Sequence, residues 1–129
     1  MKTRFYYCEL CGNIVDLIKG DGSRLVCCGQ SMTNMVANTV DAAVEKHKPV
    51  VECVDGKTIV KVGSAPHPMI EEHYIEWVYV EGCDKAQRIC LKPGQEPETF
   101  VCEDLCTCGK EECKADVYAY CNLHGLWKA

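Results

Sequence analysis

Four cysteines near the N-terminus fall in two close pairs, Cys8-x-x-Cys11 in YYCELCGNIV and the adjacent Cys27 and Cys28 in LVCCGQSM. A Cys-x-x-Cys step on a turn lets two thiolates share one ion. Each pair is followed by a glycine, Gly12 and Gly29, where the chain must turn tightly. Four thiolates suit a tetrahedral zinc or a single iron. The adjacent pair is unusual, because neighbouring strand residues point to opposite faces. Cys27 and Cys28 can share an ion only if the backbone bends between them, a distortion that matters more to a redox iron than to structural zinc. On these residues alone, both metals fit.

All four histidines lie beyond this segment: His47 in EKHKPV, His67 and His73 in SAPHPMIEEHYIEW, and His124 in YCNLHGLW. A lone histidine in a β domain is more often a satisfied core or surface residue than a ligand. Each of these, however, sits in a turn-like or strand-end context, and Pro66 and Pro68 fix the backbone around His67. His124 follows Cys121 by three, the ligand spacing of a Cys-x-x-Cys with one sulfur replaced by imidazole. Four imidazoles and one thiolate on one ion would leave one octahedral position open to a small ligand, unlike a closed four-thiolate centre.

The elements that must position these groups are short. Strand-like runs at Phe5–Tyr7, Asn13–Ile18 and Arg24–Val26, with a turn at Gly20-Asp21-Gly22, make a first unit of about 36 residues. A piece of this size lies below the roughly 40 residues at which a hydrophobic core supports folding, so it needs a staple. Thr33 to Asp41 reads as a linker. Beyond it, Pro49–Val54 and Lys57–Val62 flank Asp55-Gly56, a strong hairpin signal. Tyr74–Glu81 alternates, with Ile75, Trp77 and Tyr79 on one side and Glu76 on the other. Ala86–Leu91, Thr99–Cys102 and Asp116–Cys121 complete a set with almost no helical periodicity, which predicts a β-sandwich or barrel.

Composition narrows the class. The chain has 129 residues, 47% hydrophobic and 26% charged, a globular composition. The formal charge of −5 argues against a general nucleic-acid binder. Twelve cysteines imply either a disulfide framework or metal sites. MKTRFYYCELCGNIV has no apolar region of signal-peptide length and no small-residue cleavage site, and no stretch is long and apolar enough to span a bilayer. The expectation is a cytoplasmic chain with reduced thiols, metal sites and no membrane contact.

Taken together, YYCELCGNIV, LVCCGQSM, VEKHKPV, VGSAPHPMIEEHYIEW, LKPG and YCNLHGLWKA resemble, in order and spacing, the two-iron superoxide reductases, also called desulfoferrodoxins. The resemblance implies a mainly β protein of two domains. Residues 1–36 would be a rubredoxin/desulforedoxin-like domain with one iron on Cys8, Cys11, Cys27 and Cys28. Residues 37–129 would be an immunoglobulin-like β-sandwich. Its iron would take His47, His67, His73 and His124 in the equatorial plane and Cys121 as axial ligand. Glu45 and Lys46 match the family's Glu-Lys pair beside the open position. The implied reaction is one-electron reduction of superoxide to hydrogen peroxide. The resemblance also implies two irons per chain, with zinc a substitute at the first site, and a small electron donor such as rubredoxin. A homodimer is the expected assembly.

The chain departs from that pattern in its surplus of cysteines. Cys53 and Cys90 read as small buried hydrophobes within strands, and Cys83 follows Gly82 in a turn. Cys102, Cys106, Cys108 and Cys113 cluster in VCEDLCTCGKEECKAD, compatible with a third metal, a redox-active thiol pair or a tolerated loop. Two rival readings stand beside the reductase: a non-catalytic electron-transfer or zinc-binding module, and a superoxide dismutase.

Overall fold

Short strands flank each cysteine pair. The computed structural model describes residues 4–54, 57–82, 85–101 and 116–129, and the chain divides into two compact units, Met1–Val36 and Ala37–Ala129. The first unit carries β1 (Phe5–Tyr7), β2 (Ile14–Asp16), β3 (Val26–Cys27), β4 (Gln30–Ser31) and β5 (Thr33–Asn34). β1 is the centre of a three-stranded antiparallel sheet between β2 and β5, and β3 pairs with β4 in a separate ribbon. Arg4 Nε meets Asp16 Oδ1 at 2.6 Å, and the Tyr6 hydroxyl donates to the Asp21 carbonyl at 3.2 Å. Among the described residues of this unit, the buried hydrophobic ones are Phe5, Tyr6 and Cys8. The linker expected over Thr33–Asp41 begins instead as β5, with Thr33 paired to Tyr7. A two-residue strand is too short to carry a readable alternation.

The second unit follows with α1 (Val44–His47), β6 (Pro49–Val54), β7 (Lys57–Val62), β8 (Ile75–Glu81), β9 (Ala86–Cys90), β10 (Glu98–Val101), β11 (Asp116–Cys121) and β12 (Gly125–Lys128). Two antiparallel sheets, β10-β7-β6 and β12-β11-β8-β9, form an immunoglobulin-like sandwich. Val60 and Val62 from the first sheet pack against Ile75, Val78, Val80, Val117, Ala119 and Cys121 from the second, with Leu91 at the margin. Each fully buried Val or Ile here contributes about 1.5–3 kcal/mol.

Two expectations for side-chain direction are corrected. Tyr120 pairs with Trp77 but Cys121 pairs with Ile75, so Glu76 is the extra residue of a β-bulge. The bulge reverses the strand's parity. Ile75 therefore joins Val78 and Val80 in the core instead of sharing a face with Trp77 and Tyr79. Cys90 is exposed, not buried: it pairs with Trp77 on the outward face, while its neighbour Ile89 packs inward opposite Val78. Cys83 and the cluster Cys102, Cys106, Cys108 and Cys113 lie outside the described residues, as does the side chain of Cys53.

Candidate metal centres

The first donor group sits on two hairpin turns. After β1, the N–H of Gly12 donates to the Cys8 carbonyl and that of Cys8 to the Asn13 carbonyl, both at 2.9 Å, with Gly12 at φ +79. After β3, Cys27 pairs with Gln30 across a two-residue turn whose residues, Cys28 and Gly29, stand at φ +52 and +76. This is the bend that an adjacent pair requires. A left-handed conformation costs a non-glycine residue about 1–2 kcal/mol, so Cys28 is held there at some expense. The four Sγ atoms all lie within 4.8 Å of one another. Cys11 Sγ stands 3.5 Å from Cys27 Sγ, too far for a disulfide, and Asn13 Nδ2 donates to Cys27 Sγ at 3.6 Å. The backbone N–H of Cys11 draws the Cys8 thiol down to about 7. The hydrogen bonds that the Cys28 thiol donates to Cys11 and Cys8 push it up to about 12, and bonds to the same neighbours raise Cys27. One thiolate thus forms readily and then opposes ionisation of the others, which a bound cation would relieve.

The second donor group is gathered from four parts of the sandwich. α1 ends on His47, the loop after β7 carries His67 and His73, β11 ends on Cys121, and the turn before β12 carries His124. Gly125 at φ +77 closes that three-residue turn and folds His124 back beside Cys121, with Sγ to Nδ1 at 3.8 Å. His47 Nδ1 donates to the Ala43 carbonyl and His67 Nδ1 to the Pro68 carbonyl, both at 2.7 Å. A carbonyl only accepts, so each ring carries its proton on Nδ1 and presents a bare Nε2. Those two Nε2 atoms face each other at 3.1 Å, and His124 Nδ1 lies 3.0 Å from His47 Nε2. His73 Nε2 is buried with no hydrogen-bond partner among the described residues. Lone pairs turned on one another in a buried space, beside a buried thiol, fit a bound cation and little else. Donor atoms of His47, His67, His73, His124 and Cys121 all lie within 4.8 Å of one another.

Desolvation lowers the pKa of His47 and His73 and takes that of His67 down to about 4, so these three rings are neutral in the metal-free protein. Burial also raises the Cys121 thiol, and the nearby Glu76 carboxylate adds to the rise. An unfolded chain protonates imidazole near pH 6.5, so between that value and about 4 the unfolded state binds more protons. Stability of the metal-free protein is therefore full above about pH 6.5 and falls as pH drops toward about 4. Trp77 and Trp127, the only two tryptophans, both belong to the second unit. Urea midpoints followed by their fluorescence from pH 8 to 4 should decline on acidification; a flat series would contradict neutral buried rings.

Glu45 and Lys46 are both exposed on α1, immediately before His47. The positive charge of Lys46 reaches His47 and His73, contributing to the lowered pKa of each. Trp127 escaped the sequence reading. It is 2% exposed, stacks on the His47 ring at 5.0 Å and 27°, and donates Nε1–H to the His124 carbonyl at 3.1 Å. Its position three residues after His124 was the available signal. Asn13, two residues after Cys11, was missed in the same way.

Residues 39–129 match the family model described as desulfoferrodoxin, and residues 1–35 match the desulfoferrodoxin N-terminal domain. The chain is 48% identical to the desulfoferrodoxin of Desulfarculus baarsii, over 99% of this chain and 96% of that one. It is 31% identical to the superoxide reductase of Pyrococcus abyssi, over 65% of this chain and 84% of the other. The crystal structure of the superoxide reductase from Treponema pallidum superposes with a TM-score of 0.75 at 33% identity, over 98% and 97% of the two chains. The four-cysteine and four-histidine, one-cysteine groups fit the two-iron type. With both units matched and nearly half of all residues shared with a full-length relative, the chain belongs to the desulfoferrodoxin family.

Proposed function

We propose that this chain is a superoxide reductase, which converts superoxide to hydrogen peroxide with one electron and two protons. The observation that carries the reading is the pair of bare imidazole nitrogens 3.1 Å apart, beside the orphaned Nε2 of His73 and the thiol of Cys121. Relatives over most or all of this length bear the name superoxide reductase. His47, His67, His73, His124 and Cys121 would hold a ferrous iron, which would supply the electron, with the Cys121 thiolate adding electron density to it.

The chain's own residues do the rest. The Nδ1–H bonds of His47 and His67 hold those rings in the tautomer that exposes Nε2. Trp127 backs the His47 ring and closes that side to water. Lys46 attracts the superoxide anion, reversing locally the chain's net charge, and orients a proton-donating water. Glu45 would be the carboxylate that gives way to incoming superoxide. Lys46→Ala should slow the reaction with superoxide about tenfold at low ionic strength. The gap should narrow at 1 M salt, where the Debye length is about 3 Å. Pulse radiolysis at the two salt concentrations measures it, and an unchanged rate at low salt would remove Lys46 from the mechanism.

The four-cysteine centre is redox-capable and relays or stores electrons, with zinc able to replace its iron. A small donor such as rubredoxin in the cytoplasm would supply it. A homodimer is supported by Leu10, Ile18 and Val26, each more than 60% exposed on a unit too small to waste apolar surface. No helix among the described residues is long and apolar enough to cross a membrane.

Anaerobic stopped-flow of the reduced protein against superoxide, with oxygen assayed, tests the whole reading. The reductase oxidises its iron once per superoxide and evolves no oxygen. A dismutase evolves oxygen without an external reductant, and a non-catalytic module leaves superoxide to decay unaided.

A further inference from the structure

His73 is held differently from the other histidines. His47 and His67 each pin a ring nitrogen on a backbone carbonyl, and the His124 carbonyl is gripped by Trp127. Among the described residues, no group hydrogen-bonds His73 Nε2. The ring takes its direction from its backbone and from the His67 and His124 rings packed against it at 4.7 and 4.9 Å. The backbone N–H and carbonyl of His73 exchange hydrogen bonds with Ile70, both at 3.1 Å. The residues on either side are clamped by one side chain. Asn122 Oδ1 accepts the N–H of Tyr74 and Asn122 Nδ2 donates to the carbonyl of Glu72, both at 3.0 Å. The backbone N–H of Asn122 adds a third bond, to the Tyr74 carbonyl at 3.2 Å. The partners fix which way the carboxamide points, since a flipped amide would set donor against donor and acceptor against acceptor.

Asn122 directly follows Cys121 and lies two residues before His124. We propose that Asn122 is a positioning residue of the histidine–cysteine site: by clamping Glu72 and Tyr74 it aims the His73 ring and ties it to the strand end that carries Cys121 and His124. The inference rests on the reading of His73 and Cys121 as ligands of one iron. Outer groups that orient ligands typically change metal affinity about tenfold to a hundredfold when removed.

Asn122→Ala removes both arms of the clamp. Asn122→Asp keeps the size and the bond to Tyr74 but sets a carboxylate oxygen against the Glu72 carbonyl. In the two-iron protein, Asn122→Ala should release the histidine-bound iron to a chelator about tenfold to a hundredfold faster, with Asn122→Asp between it and the wild type. The thiolate-to-ferric charge-transfer band of that site should shift in the same order, while iron at the four cysteines is retained as in the wild type. A purely structural Asn122 would lower the unfolding midpoint of the metal-free protein and leave that band in place, and this result overturns the proposal. So does wild-type release and absorption in both variants. A wild-type protein that binds iron at the four cysteines alone would instead sink the ligand reading itself, and the proposal with it.

Discussion

Removing the metal from Cys8, Cys11, Cys27 and Cys28 should unfold the first unit and leave the second folded. Residues 4–36 bury only Phe5, Tyr6 and Cys8 among their hydrophobic side chains, while Leu10, Ile18, Val26 and Val36 are 56% to 88% exposed. Strands of two or three residues cannot hold one another together in water without a core. A four-thiolate metal in a fragment this small contributes on the order of 10 kcal/mol, and that free energy is folding free energy. The second unit has its own core, with Val60, Ile75, Val78, Val80 and Ala119 wholly buried. Cys8→Ser should have the same effect as chelation, because Cys8 is the buried sulfur and its thiol is the one drawn down to about 7. Hydrogen exchange before and after chelation reads both units at once. Protection of β1, β2 and β5 should vanish while that of β7, β8 and β11 persists. Metal-free protein that still protects β1 would show that the unit folds without its staple.

The residues that could do chemistry were legible because spacing in a short turn nearly determines proximity. Cys8 and Cys11 share one hairpin turn, and Cys121 and His124 another, so their types and intervals alone pointed to shared ions. Even the bend between Cys27 and Cys28 followed from strand geometry, and the structure supplies it as a left-handed pair. The rest depended on interactions with no local signature. The bulge at Glu76 is a mismatch between β8 and β11, invisible in either strand by itself, yet it decides which face Ile75 occupies. β12 is only four residues long, and α1 is a single turn that ends on His47. Trp127 and Asn122 act on ligands by touching a ring or the neighbouring peptides. Such contacts are set by the closed sandwich rather than by residue type.

Gly63→Ala should cost more activity than any substitution of Lys46, although Gly63 carries no chemistry. A Cβ at this position would lie 2.5 Å from the Glu45 carbonyl oxygen and 3.0 Å from the carbonyl carbons of Glu45 and Lys46. All three are backbone atoms, so no side chain can swing aside to make room. The Glu45 carbonyl also accepts the Ala65 N–H at 2.8 Å and the Ser64 hydroxyl at 3.3 Å, which press α1 against this loop. An added methyl must therefore push α1 outward, and α1 ends on His47. That ring faces His67 at 3.1 Å and His124 at 3.0 Å, so a shift of even 1 Å at its base opens the donor group. Displacements of that size cost about a hundredfold in rate, and overpacking of this kind costs about 1–3 kcal/mol in stability. The two effects separate from those of Lys46→Ala, which leaves iron binding intact and responds to salt. Gly63→Ala should lose iron from the histidine site, keep it at the four cysteines and show no recovery at any ionic strength. Iron content by site, together with the rate with superoxide, checks it; full occupancy and a wild-type rate would mean that the 63–65 loop, not α1, gives way.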